Sequence, residues 1–297
     1  MTGLRIVLMG CAAAMAAAAQ APRFKVLNNL EYARPESGPL SLDLYLPESG
    51  GPFPPIVWIH GGAFRSGDKG GIWYKPILNQ TQRGYAVASI DYRLSGAAKF
   101  PALVQDAKAA LRWLRANAAR YNLKADRIVV AGESAGGYQA AMLGTSGGVA
   151  ELEGTLGNPK ESSRVQGVID FFGPTDFLTM DDGASSCKTP LVHRAPTSPE
   201  SQLLGCNLDD CPERAKASAP ITYVSRDAPP FLILHGTADC QVPHSQSQRL
   251  YDALRAAGVK ADLHLLPDVG HGDRRFMTPE TEKLVNEFVD SVLRGRP

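Results

Sequence analysis

Three residue types that together make a hydroxyl nucleophilic occur along this chain: a serine at 134, an aspartate at 239 and a histidine at 271. A serine hydroxyl is a poor nucleophile near neutral pH. It needs a base to take its proton, and the base needs an acceptor on its second ring nitrogen to fix the working tautomer. Ser134 sits in Gly132-Glu133-Ser134-Ala135-Gly136, a G-x-S-x-G match. Three fixed positions are a weak signal, recurring by chance in roughly one chain in ten of this size. Gly144-Thr145-Ser146-Gly147-Gly148 matches equally well, so context has to separate the two. The first follows a buried-strand pattern and opens an alanine-rich helical stretch, the setting in which a sharp strand-to-helix turn exposes a serine. The second closes that helix with glycines. Ser134 is therefore the candidate nucleophile, with the small Ala135, Gly136 and Gly137 relieving crowding at the turn.

His271 lies in Pro267-Asp268-Val269-Gly270-His271-Gly272, just past the strand-like stretch Ala261 to Leu266. Asp239 follows Phe231 to Leu234, in His235-Gly236-Thr237-Ala238-Asp239-Cys240. Loops at the C-terminal ends of parallel strands are where such sheets gather reacting groups. The other histidines have plainer readings. His60 and His235 precede glycines at strand ends and are expected to brace loops, His264 lies within a strand pattern, and His193 and His244 fall in expected surface loops. Asp268 and Asp273, nearer to His271 in sequence, are the rival acids. His60-Gly61-Gly62-Ala63-Phe64 follows a buried strand, and its small residues let backbone N–H groups approach a substrate. Together with the N–H of Ala135 this segment can form an oxyanion hole, worth about 3 kcal/mol per donor. Its plainer reading is a tight turn.

The elements that must carry these residues are legible as pattern. Leu42 to Leu46 alternates as a half-buried strand stopped by Pro47. Pro55 to Ile59, Tyr85 to Ile90, Arg127 to Ala131, Val165 to Phe172 and Phe231 to Leu234 are short apolar runs suited to strands buried on both faces. Between them, Ala102 to Ala119 sets Leu103, Ala107, Ala110, Leu111 and Leu114 on one helical stripe, and Ser245 to Ala257 and Thr281 to Leu293 behave alike. Strand and helix in alternation imply an α/β fold with right-handed crossovers. Thr175 to Asp227 breaks the pattern, with weak periodicity and three cysteines. It is expected to be a cap or lid insertion pinned by disulfides.

Composition limits the function. Lys and Arg number 31 against 30 Asp and Glu, so no basic surplus exists to neutralise a phosphate backbone and nucleic acid is excluded as a partner. Arg5 followed by the apolar or small run Ile6 to Ala19 is too short for a membrane span, which needs about 20 residues. It matches a cleaved secretory signal over residues 1–19, with Ala17-Ala18-Ala19 at the cut, leaving 20–297 as one domain, secreted or periplasmic. The alternative is lipoprotein processing at Cys11, preceded by Leu8-Met9-Gly10. Cleavage after Ala19 leaves Cys187, Cys206, Cys211 and Cys240, an even set for an oxidising compartment, and two disulfides of open pairing are expected. A zinc site is the competing reading, but no C-x-x-C pair is present.

With these residues in place, the chain resembles the α/β-hydrolase superfamily, specifically the hormone-sensitive-lipase-like carboxylesterases and the bacterial feruloyl and acetyl xylan esterase-like group. The resemblance is carried by His60-Gly61-Gly62-Ala63-Phe64, Asp91-Tyr92-Arg93-Leu94, Gly132-Glu133-Ser134-Ala135-Gly136-Gly137, Gly173-Pro174-Thr175-Asp176, His235-Gly236-Thr237-Ala238-Asp239 and Gly270-His271-Gly272. It implies an α/β-hydrolase fold, a mostly parallel sheet with helices on both faces and a cap at about 175–227. It also implies Ser134 as nucleophile, His271 as base, Asp239 as acid, and Gly62, Ala63 and Ala135 as oxyanion donors. Ala63 stands where the lipase-like pattern has a third glycine, and Cys240 directly follows the acid. Glu133 is expected to brace the elbow and Asp91 and Arg93 to form a buried ion pair; Trp58, Phe64, Trp73 and Tyr74 are candidate pocket walls, though such residues are more often core than pocket. The implied activity is hydrolysis of carboxylic esters through an acyl-enzyme, without cofactor or metal, on a small-molecule or polysaccharide-linked ester. A peptidase of the same fold and a catalytically silent recognition protein are the alternatives, and the oligomeric state is left open.

Overall fold

The computed structural model describes residues 24–70, 74–182 and 191–295. The expected signal segment, Cys11, Trp73 and Cys187 lie outside these described residues. Eight strands are found among them: β1 (Phe24–Ala33), β2 (Leu40–Pro47), β3 (Pro55–Ile59), β4 (Ala86–Ile90), β5 (Val129–Glu133), β6 (Gly167–Phe171), β7 (Phe231–Gly236) and β8 (Ala261–Leu266). They form one sheet in the order β1-β2-β4-β3-β5-β6-β7-β8. The β1–β2 and β2–β4 pairs are antiparallel and all others are parallel. Every residue of β3 to β7 is buried, the reason these strands are continuous apolar runs in the sequence.

The period of two along each strand feeds two cores. In β3, Val57 and Ile59 enter the core packed by α2 (Ala102–Ala116), α3 (Ala135–Thr145) and α7 (Ser245–Ala256), while Ile56 and Trp58 enter the one packed by α1 (Lys75–Leu78) and α8 (Pro279–Leu293). The predicted stripe of α2 is buried throughout. Helices α4 (Ala150–Glu153), α5 (Pro199–Leu204) and α6 (Pro212–Ala217) complete the set; α5 and α6 lie in the long connection between β6 and β7.

Three expectations about supporting residues are corrected. The alternating strand is β2, and it is buried on both sides from Leu42 to Leu46 rather than half exposed. Its polar residue, Asp43, is satisfied there, accepting from Asn29 N–H at 2.8 Å and pairing with Lys69 Nζ at 3.1 Å. Arg93 does not pair with Asp91. Its guanidinium grips Asp106 of α2 at 2.6 to 3.0 Å, and Asp91 accepts from Lys69 N–H at 2.8 Å. Trp58 and Tyr74 are core rather than pocket, stacked on one another with ring centroids 5.2 Å apart.

The connection from β6 to β7 is tied to the body of the molecule by its polar groups. Thr175 donates its backbone N–H and hydroxyl to Gln246 of α7, at 2.9 and 2.8 Å, and the Tyr138 hydroxyl of α3 donates to Ser218 O at 2.7 Å. A disulfide joins Cys206 to Cys211 across the α5–α6 link, and Cys240 is also disulfide-bonded. No helix among the described residues is long and apolar enough to cross a membrane.

Candidate active site

Ser134 occupies the single residue between the end of β5 and the start of α3, with φ 52° and ψ −119°. A non-glycine residue in this region is strained, and the strain lifts its side chain clear of both elements. Close packing holds the turn shut. A Cβ on Gly136 would come within 2.0 Å of Ile59 O, and one on Gly132 within 2.3 Å of Gly136 O. The two glycines of the motif are therefore demanded by the approach of α3 to β3. Ser134 N–H donates to Phe171 O at 2.9 Å, fixing the turn to β6. The second G-x-S-x-G serine, Ser146, caps the end of α3, donating its hydroxyl to Met142 O at 2.6 Å.

The loops after β7 and β8 bring Asp239 and His271 to this hydroxyl. His271 Nε2 lies 2.9 Å from Ser134 Oγ, and its Nδ1 lies 2.7 Å from Asp239 Oδ2. With Nδ1–H donating to the carboxylate, Nε2 keeps a lone pair for the serine proton. The Phe172 ring meets the imidazole edge-on at 4.8 Å between centroids. Asp239 is buried, and Oδ1 accepts the backbone N–H groups of Gln241 at 2.8 Å and Val242 at 2.9 Å. Burial alone would raise this carboxyl, but the hydrogen bonds from His235 and His271 outweigh it and hold it well below the usual carboxylate range. The anion is thus kept ionised beside the imidazole.

The other candidates settle elsewhere. His235 Nε2 donates to Val242 O at 2.9 Å with Asp239 Oδ2 at 3.3 Å, and its Nδ1 accepts from Ser247 Oγ at 2.7 Å, so it braces the Asp239 loop. His60 stacks on Tyr92 at 4.4 Å and shares a 2.6 Å contact between Nδ1 and Gly61 O; burial lowers its pKa. Asp273 pairs with Arg275, and Asp268 gives its N–H to Thr237 Oγ1. Neither competes for His271.

Gly62, Ala63 and Ser134 line one open cleft of about 370 Å³, together with Glu133, Gln241 and His271. Ala63, at φ 53°, adopts a left-handed conformation that glycine would take without cost. Ala135 opens α3, where the first backbone N–H groups lack intrahelical acceptors. A second, smaller cavity of about 40 Å³ also reaches Ser134, lined by Ala63, Phe64, Ala135, His193, Glu200 and His271 among others. Phe64, an expected wall residue, lines this cavity. His193, expected on the surface, is instead 5% exposed and faces Glu200. Glu200 carries no local sequence signal, because its place depends on the fold bringing the start of α5 and the serine turn to one cavity.

A profile of the BD-FAE family matches residues 42–254, most of the chain. The chain belongs to the BD-FAE family. Among curated proteins it is 31% identical to Esterase LipC of Mycobacterium tuberculosis over 249 residues, covering 82% of this chain and 60% of LipC. The chain spans 46% to 60% of the length of LipC and the similar LipM and LipQ. Among solved structures it resembles a truncated carbohydrate esterase from gut microbiota, with TM-score 0.78, 34% identity and coverage of 90% of this chain and 95% of that one. It also resembles Thermogutta terrifontis esterase 2 phosphonylated by sarin, with TM-score 0.72, 26% identity and coverage of 92% and 96%. The BD-FAE assignment and these neighbours agree with the α/β-hydrolase sheet described above.

Proposed function

We propose that this protein is a serine carboxylic ester hydrolase that works through an acyl-enzyme. The observation that carries the reading is the unbroken run from Ser134 Oγ through both nitrogens of His271 to the buried Asp239 carboxylate, at 2.9 and 2.7 Å. In the first half-reaction Ser134 Oγ attacks the ester carbonyl carbon while its proton passes to His271 Nε2. The backbone N–H groups of Gly62, Ala63 and Ala135 stabilise the oxyanion. His271 then gives that proton to the departing alcohol oxygen. In the second half-reaction water gives a proton to the same nitrogen as its oxygen bonds to the acyl carbon; the bond from that carbon to Ser134 Oγ then breaks, His271 Nε2 returns the proton to Oγ, and the carboxylic acid leaves. Asp239 stays ionised, holding the tautomer and supporting the transient imidazolium. The naming of the relatives as esterases supports ester chemistry. A phosphonylated neighbour supports a covalent nucleophile on this fold.

The substrate class follows less directly. The smaller cavity suits a short substituent of the ester, while the cleft admits a larger one. A carbohydrate esterase among the structural neighbours supports an ester of a carbohydrate, and acetyl or feruloyl esters of plant polysaccharide are the substrates we propose within that class. Residues 175–227 serve as the cap over these cavities, and the chain acts after export. Ser134→Ala is expected to abolish turnover of short-chain esters with the fold intact by circular dichroism, and to abolish labelling by an organophosphonate. A variant that keeps full activity, or a wild-type Ser134 that resists the reagent, overturns the assignment. Rates across acetyl, butyryl, longer acyl and feruloyl esters then rank the acyl group.

A further inference from the structure

The cleft over Ser134 is lined by one cationic and one acidic side chain, Arg65 and Glu133, and the reaction above uses neither. Glu133 is buried, and its field helps to raise the Tyr74 pKa. Arg65 is exposed, and its guanidinium makes no ion pair or hydrogen bond among the described residues. Asp68, the nearest acid in sequence, instead accepts Gly70 N–H at 2.6 Å. The cleft therefore offers an incoming ester one reachable full charge, and that charge is positive.

An exposed arginine is ordinarily a solvated surface group, but the backbone beneath this one is fixed on both sides. Phe64 is 1% exposed and packs edge-on against Tyr138 and Phe177, with ring centroids 5.2 and 5.8 Å away. On the other side the chain folds back on itself, and Gly62 O accepts the N–H groups of both Arg65 and Ser66, at 3.0 and 3.1 Å. A Cβ on Gly62, at φ 117°, would fall 2.0 Å from Ser66 O, so the closed turn admits only glycine there. Arg65 thus leaves the same turn that carries Gly62 and Ala63, at a set offset from the place given to the ester carbonyl. A guanidinium presents paired N–H donors in one plane, which matches a carboxylate, and one such cation balances one carboxylate charge.

We propose that Arg65 determines specificity by pairing with a carboxylate on the substrate, so that this enzyme prefers esters bearing a free acid group over their neutral counterparts. The inference rests on the ester hydrolase reading above and adds a charge requirement that a carbohydrate ester does not by itself imply. The carboxylate can belong to the alcohol half, as in an ester of an acidic sugar, or to the acyl half, as in a half-ester of a dicarboxylic acid. Two pairs matched in shape distinguish the sources. The alcohol half is read by 4-acetoxybutanoate against 4-acetoxybutanamide, and the acyl half by monoethyl succinate against ethyl succinamate.

Each kcat/KM is divided by the alkaline hydrolysis rate constant of the same ester, which removes differences in intrinsic reactivity. At low ionic strength the acid member of one pair is expected to be favoured at least about fivefold, the upper end for an exposed ion pair. At about 1 M salt, where screening acts within about 3 Å, the ratio should collapse toward unity. In Arg65→Gln it should lie within about twofold of unity at both salts, and in Arg65→Lys, which keeps the charge and loses the planar fork, at an intermediate value. Reading a ratio within each protein cancels any loss of activity common to both esters. Hydrolysis without a fivefold acid preference in either pair overturns the proposal and leaves the ester hydrolase reading standing. A preference that persists in Arg65→Gln, or that ignores salt in the wild type, overturns it as well. No hydrolysis of any of the four esters overturns both readings. The wild-type ratios at the two salts decide the matter even where a variant fails to fold.

Discussion

At the scale of single residues, the site depends on where one proton sits. Asp239 receives four donors: the backbone N–H groups of Gln241 and Val242 on Oδ1, and His271 with the more distant His235 on Oδ2. An amide at this position would present an NH₂ group toward His271 Nδ1 and favour the tautomer whose Nε2 carries the proton, the wrong one for accepting from serine. Asp239→Asn is therefore expected to cut kcat for an acetyl ester by about 10³ to 10⁴-fold with little change in Tm. A loss under tenfold in a folded variant would remove Asp239 from the role given to it. The serine, the aspartate and the histidine were legible because each follows a recognisable strand, so chain order and loop position located them. His193 and Glu200 were not. They line a cavity with Ser134 only because the fold brings the β6–β7 connection to it, a long-range arrangement with no local pattern. Arg93 was misassigned for a related reason: its partner, Asp106, lies on α2 and enters only when the helix docks.

At the scale of elements, the site is assembled by strands too buried to carry polar side chains freely, and the carboxylate in β6 shows the cost. Asp170, in β6, is fully buried, with Oδ1 accepting Gly173 N–H at 2.9 Å and Oδ2 unpartnered among the described residues. Burial pushes its pKa up to about 6, only partly offset by the Gly173 N–H and by His235. The folded state therefore holds this proton to higher pH than the unfolded chain does. The stabilisation is complete below the ordinary carboxylate range, near pH 4, and is lost as pH rises through about 6. Asp170→Asn removes the ionisation, so its Tm relative to wild type should climb between pH 4 and pH 7, a difference of up to about 3 kcal/mol. Parallel Tm curves for the two proteins across that range would show that Asp170 titrates normally. Most elements were readable in advance, since strands buried on both faces leave unbroken apolar runs and the helices keep a clear stripe. Strand β1 was the omission. It is an edge strand whose exposed positions include Lys25, Asn28, Asn29 and Glu31 among partly buried ones, so no alternation marks it.

At the scale of the whole molecule, the sheet places the loops after β3, β5, β7 and β8 together, and described residues of the β6–β7 connection, Leu191, His193, Pro199 and Glu200, line a cavity beside Ser134. That connecting segment contains short helices of six residues each, α5 and α6, which cannot be stable alone and rely on cross-links and docking. The Cys206–Cys211 disulfide closes a short loop between them, a constraint worth about 2 kcal/mol by loop-closure entropy. Such bonds persist in an oxidising compartment, which ties the stability of the site wall to the export proposed from the first nineteen residues. Removal of that segment takes away Arg5 and no acid, leaving equal numbers of basic and acidic residues in the exported chain. Expression of the full sequence in a bacterium with a secretory pathway should then yield periplasmic or secreted protein whose intact mass starts at Gln20 and whose Cys206, Cys211 and Cys240 resist alkylation until reduced. Retention in the cytosol at full length, with those thiols freely alkylated, would refute export. A mass showing acylated Cys11 at the N-terminus would replace a released enzyme with a membrane-anchored one, and the disulfides would still be expected to form.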